Sequence, residues 1–298
     1  MSIKKAIVTG GTGFIGSHIV DRLIDMGCDV VIIDRTDNPK NFNSKAKLFK
    51  GDITKLDPSA EIPVEFAGTD VIFHCAAMAR VQPSIDNPIP YHNCNVNGTL
   101  NMLMVAKALS INRFVYSASS SCYGDTKIIP TPETAPLNPI SPYAIQKLIG
   151  EQYCKLFSEI YNLDTVCLRY FNVYGDRMPL SGAYSLVMSI FKEQADSGNP
   201  LTITNDGKQR RDFTHISDVV EANILAATYD KKLNGEVFNI GNGNSYSINE
   251  IADMIGGEKK YGEKRLEPFE TLADNTKARD ILGWEPRGNI ERYIKENY

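Results

Sequence analysis

Short, unbroken apolar runs alternate with longer stretches of helical spacing through the first half of this 298-residue chain. The apolar runs lie within residues 3–9, 30–33, 71–75, 113–118 and 165–170, and Lys47-Leu48-Phe49-Lys50 is a weaker one, third in order. Runs of this length, without polar alternation, read as strands covered on both faces. Between them, residues 14–26 carry apolar side chains at Phe14, Ile15, Ile19, Leu23 and Ile24. Residues 95–110 carry them at Val96, Leu100, Leu103, Met104 and Leu109. A third stretch, 143–161, is opened by Ser141-Pro142. These spacings predict three helices. Strands that alternate with helices run parallel and need helical crossovers, so the pattern predicts a doubly wound parallel α/β sheet.

The strict alternation ends near residue 171. Helical spacing reappears at 184–195, 217–228, 248–255 and 276–282, with short strands at 201–204 and 237–240. Asn205-Asp206-Gly207 and Gly241-Asn242-Gly243 mark turns between them. The expected division is a sheet domain over 1–171 and a smaller C-terminal α/β lobe over 172–298, interleaved with the first. No repeat or low-complexity tract interrupts either part.

Parallel sheets bind ligands at the carboxyl ends of their strands, so the chemistry is expected just after each one. The first strand runs into Thr9-Gly10-Gly11-Thr12-Gly13-Phe14-Ile15-Gly16, with Gly10, Gly13 and Gly16 three apart and a helix following at once. Such glycines allow a tight turn, a close approach to a pyrophosphate and close packing of helix on strand. The free amides at the helix start then face phosphate. Asp34 closes the second strand, where a carboxylate can accept from a ribose diol and repels a 2′-phosphate, which favours NAD. Asp52 and Ile53 follow the third strand and Ala76 and Ala77 the fourth, where an adenine edge and the passing cofactor would lie. The first domain is thus expected to be a Rossmann-type NAD-binding fold.

Composition removes several other classes. The formal net charge of −4 gives no electrostatic footprint for nucleic acid or an anionic membrane. No apolar run approaches the roughly 20 residues of a membrane helix. Met1-Ser2-Ile3-Lys4-Lys5 is followed only by Ala6-Ile7-Val8, too short for a signal peptide. Cys28, Cys75, Cys94, Cys122, Cys154 and Cys167 show no CxxC pair, as expected of buried thiols in a reducing cytoplasm. His18, His74, His92 and His215 are scattered, so no metal site is expected.

Tyr143-Ala144-Ile145-Gln146-Lys147 places a phenol and an ammonium on one helix face, 24 residues after Ser119. A nearby ammonium is expected to lower the tyrosine pKa, so that the phenolate can take a proton from a sugar hydroxyl. Thr9–Gly16, Asp34, Ser119, Tyr143 and Lys147 together resemble the extended short-chain dehydrogenase/reductase family, over nearly the whole chain. The stretches 168–175, 210–216, 238–243 and 272–278 are similar to segments of its nucleotide-sugar 4-epimerases, those acting on UDP-glucose and UDP-N-acetylglucosamine. The resemblance implies that Gly10, Gly13, Phe14, Ile15, Gly16, Asp34, Asp52, Ile53, Ala76, Ala77, Asn95, Tyr143, Lys147 and Tyr170 hold NAD. It implies that Ser119, Tyr143 and Lys147 are catalytic. Ser119 and Tyr143 would also touch the sugar, with Arg80 in reach of it. Asn172, Arg211, Arg265 and Glu267 would hold the UDP part. It further implies a homodimer paired through 95–110 and 143–161.

Two departures from the family pattern stand out. Arg265-Leu266-Glu267-Pro268 is one residue shorter than the usual Arg-Pro-Gly-Asp/Glu, and Cys122 replaces a common valine. Related dehydratases carry an Asp-Glu pair in the serine stretch and decarboxylases a Glu, whereas this chain has Ser120-Ser121-Cys122. The expectation is therefore C4 epimerisation through a transient 4-keto sugar. The alternatives are dehydration, decarboxylation or 4-reduction on the same fold, and a non-catalytic dinucleotide-binding module. Thr271 falls where a bulky aromatic excludes N-acetylated sugars from some relatives.

Overall fold

In the computed structural model, β1 (Lys5–Thr9), β2 (Asp29–Asp34), β3 (Lys47–Lys50), β4 (Val71–His74), β5 (Arg113–Ser119), β6 (Thr165–Tyr170) and β7 (Glu236–Ile240) form one sheet. The order is β7-β6-β5-β4-β1-β2-β3, with every pairing parallel. The described residues are all but 1, 37, 39, 58, 60, 61, 180–186 and 264–266. The order reverses between β1 and β4, which opens a crevice at their carboxyl ends.

Both faces of the sheet are covered, which is why its strands lack polar alternation. Ala6 and Val8 of β1, Val30 and Ile32 of β2 and Phe73 of β4 pack with α1 (Phe14–Asp25) through Ile19 and Leu23. Ile7, Val31, Ile33 and Ile72 point to the other face. There they meet Met102 and Leu103 of α2 (Gly98–Ala108) and Phe157 of α3 (Pro142–Tyr161).

After residue 172 the chain leaves the sheet and returns to it. α4 (Val187–Asp196) lies outside, α5 (Ile216–Thr228) packs on α1, and β7 pairs with β6 in the register Val237↔Cys167 and Phe238↔Leu168. The smaller lobe holds a three-stranded sheet of Ser245–Ser247, Arg210–Asp212 and Glu270–Thr271, and a pair formed by Leu201–Ile203 and Lys259–Tyr261. Its core of Tyr174, Phe191, Leu201, Ile203, Phe213 and Ile251 is closed by α6 (Ile248–Ile255) and by Ile290 and Ile294. α7 (Thr276–Leu282) lies against β7, and α8 (Ile290–Asn297) completes the chain.

Two local differences from the sequence reading have clear causes. The helix expected over 95–110 begins earlier, as a short helix Pro88–His92 and a π-helical turn Asn93–Asn97 that runs into α2. The extra residue in a π turn breaks the 3.6 spacing that periodicity relies on. The helix Val81–Asp86 is too short to show a period. The part of the expected helix 184–195 before Val187 lies outside the described residues. Among the described residues, no helix is long and apolar enough to cross a membrane.

Candidate active site

The glycine turn is built by two kinds of constraint. Gly10 has φ +67°, and a Cβ there would lie 2.9 Å from the Ala76 backbone. A Cβ at Gly16 would lie 2.2 Å from the Gly10 carbonyl oxygen. Packing within the protein thus requires both. Gly13, at the N-cap of α1, is different: the nearest atom to a Cβ there is the Gly10 oxygen at 3.1 Å, and nothing else lies within 4 Å. No side chain caps α1. The bare backbone and open amides at this helix start match a pyrophosphate. Phe14 and Ile15, half-buried, anchor the first turn to the core.

Asp34 Oδ2 accepts from Thr12 N at 3.1 Å and Thr12 Oγ1 at 2.9 Å, which ties β2 to the glycine turn. Its Oδ1 lies on the exposed side and accepts longer bonds from Thr36, 3.2 Å and 3.3 Å. Asp52 caps a turn through Thr54 N, and the buried Ile53 sits under Gly98 at the start of α2. Ala76 N donates to Thr9 Oγ1 at 3.1 Å, and Ala77 beside it is half-buried. Asn95 is placed differently from the expectation that it holds NAD. Its Oδ1 accepts from Met78 N at 2.8 Å, and its Nδ2 donates to Met78 O at 2.9 Å and Gln146 Oε1 at 3.0 Å. It clamps the loop after β4 to α3 and can act on a cofactor through that loop.

Ser141 Oγ accepts from Ala144 N, and Pro142 occupies the first turn, so α3 starts immediately before Tyr143. Ser119 ends β5, with its hydroxyl bonded to Ser121 N and 2.9 Å from Ser121 Oγ. A hydrogen bond to Ser119 draws the Tyr143 pKa down, but burial outweighs it and leaves the phenol above its ordinary value. The buried Lys147 donates from Nζ to Ser117 O at 2.8 Å, 5.1 Å from the Tyr116 ring centre. The expected lowering of the tyrosine pKa by this ammonium is therefore not met in the protein alone, because desolvation dominates and Nζ is turned to a carbonyl.

Burial also pushes Lys147 down from 10.5 to about 8. Below pH 8 the ammonium is charged in folded and unfolded states alike, and its burial penalty is complete. Between 8 and 10.5 the unfolded chain holds the extra proton, so this contribution to stability rises with pH. Lys147→Met is expected to gain stability relative to wild type near neutral pH, with the gap closing as pH rises towards 10.5. Urea unfolding of both cofactor-free proteins at several pH values measures it. A gap independent of pH would contradict the assignment.

Tyr170 OH sits 3.2 Å from Ser117 Oγ and contacts Asn223, while Ser117 Oγ donates to Cys75 Sγ. Sequence reading missed Ser117 and Asn223. It also missed a buried chain in which Glu151 pairs with Arg169, Arg169 donates to Tyr123 OH at 2.7 Å, and Tyr123 donates to Asn239 Oδ1 at 2.7 Å. Glu151 lies one turn beyond Lys147, and that spacing was the available signal.

The substrate-side residues converge on a cavity of about 170 Å³. Arg80, Asn172, Arg211 and Glu267 all line it, although they come from widely separated segments. Arg80 and Asn172 both have positive φ, +120° and +24°. Asn172 Nδ2 donates to Asp212 O at 2.9 Å and Thr271 Oγ1 at 3.2 Å. Arg211 donates to Pro268 O at 2.9 Å and ion-pairs with Glu267. Glu267 also accepts from Asn205 Nδ2 at 2.8 Å and Thr204 Oγ1 at 3.2 Å. Its carboxylate thus holds Arg211 rather than standing open for a ribose. Arg265 lies outside the described residues. Among the described residues no cluster of His, Cys, Asp and Glu could hold a metal.

The family described as NAD dependent epimerase/dehydratase matches residues 6–241. A putative UDP-glucose 4-epimerase of Methanocaldococcus jannaschii is 37% identical, over 97% of this chain and 95% of that protein. The chain belongs to this NAD-dependent epimerase/dehydratase family. Two solved structures share its shape. One is the UDP-glucose 4-epimerase of Thermotoga maritima with UDP-glucose, at TM-score 0.91 and 34% identity, covering 98% of this chain and 97% of that one. The other is the UDP-N-acetylglucosamine 4-epimerase of Methanobrevibacter ruminantium M1 with UDP-N-acetylmuramic acid. It matches at TM-score 0.91 and 34% identity, covering all of this chain and 97% of that one. Within this NAD-dependent family, the open helix start at Gly13 and the Asp34 carboxylate are the features of this chain that suit the dinucleotide.

Proposed function

We propose that the protein converts a UDP-hexose or UDP-N-acetylhexosamine to its C4 epimer through a transient 4-keto sugar. The observation that carries this reading is the hydrogen bond between Tyr143 and Ser119 at the carboxyl end of β5, with Lys147 one turn further along α3 and bonded to Ser117 of the same strand. NAD, when bound, supplies the hydride acceptor and returns the hydride. The chain's own residues do the rest. Tyr143 Oη takes the C4 hydroxyl proton while Ser119 Oγ holds that hydroxyl. Gly10, Gly13, Gly16 and Asp34 would seat the cofactor, and Lys147 would hold its ribose together with Tyr143 and Tyr170.

Asn172 and Arg211 would grip the diphosphate, so that the sugar can turn about it. Because Arg211 is already paired with Glu267, diphosphate binding requires that pairing to be shared or exchanged. Further reactions on the keto sugar need an added acid or base. The serine stretch supplies none: Ser120 and Ser121 carry only hydroxyls, and Cys122 after them is wholly buried, which pushes its thiol up to about 12. The keto sugar is therefore left to take the hydride back on its other face. Thr271 is half-buried, and its Oγ1 accepts from Asn172 Nδ2; a side chain this small next to Asn172 supports acceptance of N-acetylated sugars.

Proton NMR of purified protein with UDP-glucose, then UDP-N-acetylglucosamine, first without and then with added NAD, is the direct test. The expected result is the C4 epimer at a fixed final ratio with no net use of cofactor. Consumption of reduced cofactor would favour a reductase, and silence with both sugars would reject the reading.

The same reading includes a homodimer in a reducing compartment. Ile145, Leu156 and Ile160 leave apolar surface exposed on α3, and all six cysteines are free thiols. The double variant Leu156→Asp, Ile160→Asp is expected to elute as a monomer in light-scattering chromatography. A wild-type protein that is already monomeric would refute the pairing.

A further inference from the structure

The buried ring of His74, at the carboxyl end of β4, packs against Phe114 and Tyr116 of β5, with ring centres 5.5 Å and 5.9 Å away. Both of its nitrogens have a hydroxyl for a partner. Nδ1 lies 2.8 Å from Thr9 Oγ1, and Nε2 lies 3.0 Å from Thr99 Oγ1. The Thr99 hydroxyl gives its hydrogen to Asn95 O at 2.7 Å, and a carbonyl only accepts. The hydrogen between Thr99 and the ring must therefore sit on Nε2. The Thr9 hydroxyl already accepts from Ala76 N at 3.1 Å, which leaves its own hydrogen for a bare Nδ1.

Counting donors thus gives the whole chain one direction, from Ala76 N–H through Thr9, His74 and Thr99 to Asn95 O. A hydrogen on Nδ1 would set two donors on Thr9 and leave the Thr9 hydrogen without an acceptor among these groups. A second hydrogen on the ring is also opposed by burial and by the Lys147 ammonium, which push His74 down to about 3. The Tyr116 phenol against the ring brings no charge, because burial holds it well above its ordinary value. With both nitrogens used, the ring is no proton acceptor for a substrate. The ends of the chain shape the cofactor crevice instead. Thr9 leads into the glycine turn, where a Cβ on Gly10 would lie 2.9 Å from the Ala76 backbone. Asn95 clamps Met78 in the loop that follows Ala76.

We infer that His74, as the neutral Nε2–H tautomer, is a positioning residue for NAD, joining the glycine turn and Ala76 at one nitrogen to the Asn95 clamp at the other. It acts on the cofactor site through Thr9 and Thr99. This role depends on the cofactor alone and not on which sugar is bound.

Heteronuclear NMR of the nitrogen-labelled holoenzyme reads the tautomer directly, with the His74 signals assigned by their absence from the His74→Gln spectrum. A bare Nδ1, a protonated Nε2 and no titration between about pH 5 and 8 are expected, unlike an ordinary histidine. An Nδ1–H tautomer, or a ring that titrates in that range, would overturn the inference. The rate at which bound NAD exchanges with labelled NAD reads the consequence. His74→Phe keeps an aromatic ring and loses both bonds. It is expected to speed exchange about tenfold, the scale of one buried hydrogen bond left unmade. His74→Gln again offers one acceptor and one donor group and should restore most of the wild-type rate. A folded His74→Phe protein that exchanges NAD at the wild-type rate would refute the role, since a residue serving stability alone lowers the urea midpoint and leaves exchange unchanged. If that variant does not fold, the wild-type tautomer decides.

Discussion

Tyr143→Phe is expected to lower kcat for UDP-sugar epimerisation by about a hundred- to ten-thousand-fold, the range that one positioned acid–base group supplies. NAD should remain bound, since the substitution removes one oxygen and keeps the ring. The α3 start is independent of that oxygen: the Tyr143 backbone N–H donates to Ser84 Oγ, and Ser141 caps the helix. Loss of the hydroxyl leaves Ser119 with Ser121, so the serine turn also keeps its shape. Initial rates by NMR, with the cofactor content of the purified protein measured in parallel, separate chemistry from binding. Near-normal turnover would eliminate Tyr143 as the proton acceptor. The raised phenol pKa adds a pH signature. Because burial favours the protonated form, the rate on the acidic side should climb with pH in wild type, and this limb should be absent in the variant.

The largest stability effect is expected at Arg169→Met. Arg169 and Glu151 face each other in the core, with side chains 4% and 2% exposed, and Arg169 reaches on to Tyr123. Removing the arginine strands a buried carboxylate, which costs about 3–5 kcal/mol in such pairs. Glu151 sits one turn past Lys147 on α3, and Tyr123 follows the Ser119 turn, so the damage should spread to the catalytic residues. Urea unfolding should show the loss. The double variant Arg169→Met, Glu151→Leu should recover much of it, because no unpaired charge then remains. A single-variant loss below about 1 kcal/mol would show that Glu151 finds another partner or takes a proton instead.

The sheet and its crossovers were legible because burial on both faces leaves a direct record in composition. β1 to β6 are apolar runs at nearly the expected bounds, and α1 and α3 show their spacing plainly. The glycine turn was legible for a related reason, since backbone that touches backbone at Gly10 and Gly16 admits no side chain. The convergence of Arg80, Asn172, Arg211 and Glu267 in one cavity followed from family resemblance, and no local pattern encodes it.

Other features arise only between segments far apart in the chain. Asn95 became a loop clamp because Met78 and Gln146 come to it from two other elements. Glu267 became the partner of Arg211, 56 positions away. The Lys147 ammonium faces a carbonyl, and the Tyr143 phenol is pushed up rather than down, because desolvation depends on everything packed around a group. The direction of the hydrogen-bond chain through His74 has the same origin. Periodicity and turn chemistry act over a few residues, so one sequence carries fold class, cradle and catalytic pair. Hydrogen-bond partners and local dielectric are properties of the packed molecule, and they set what each of those groups can do.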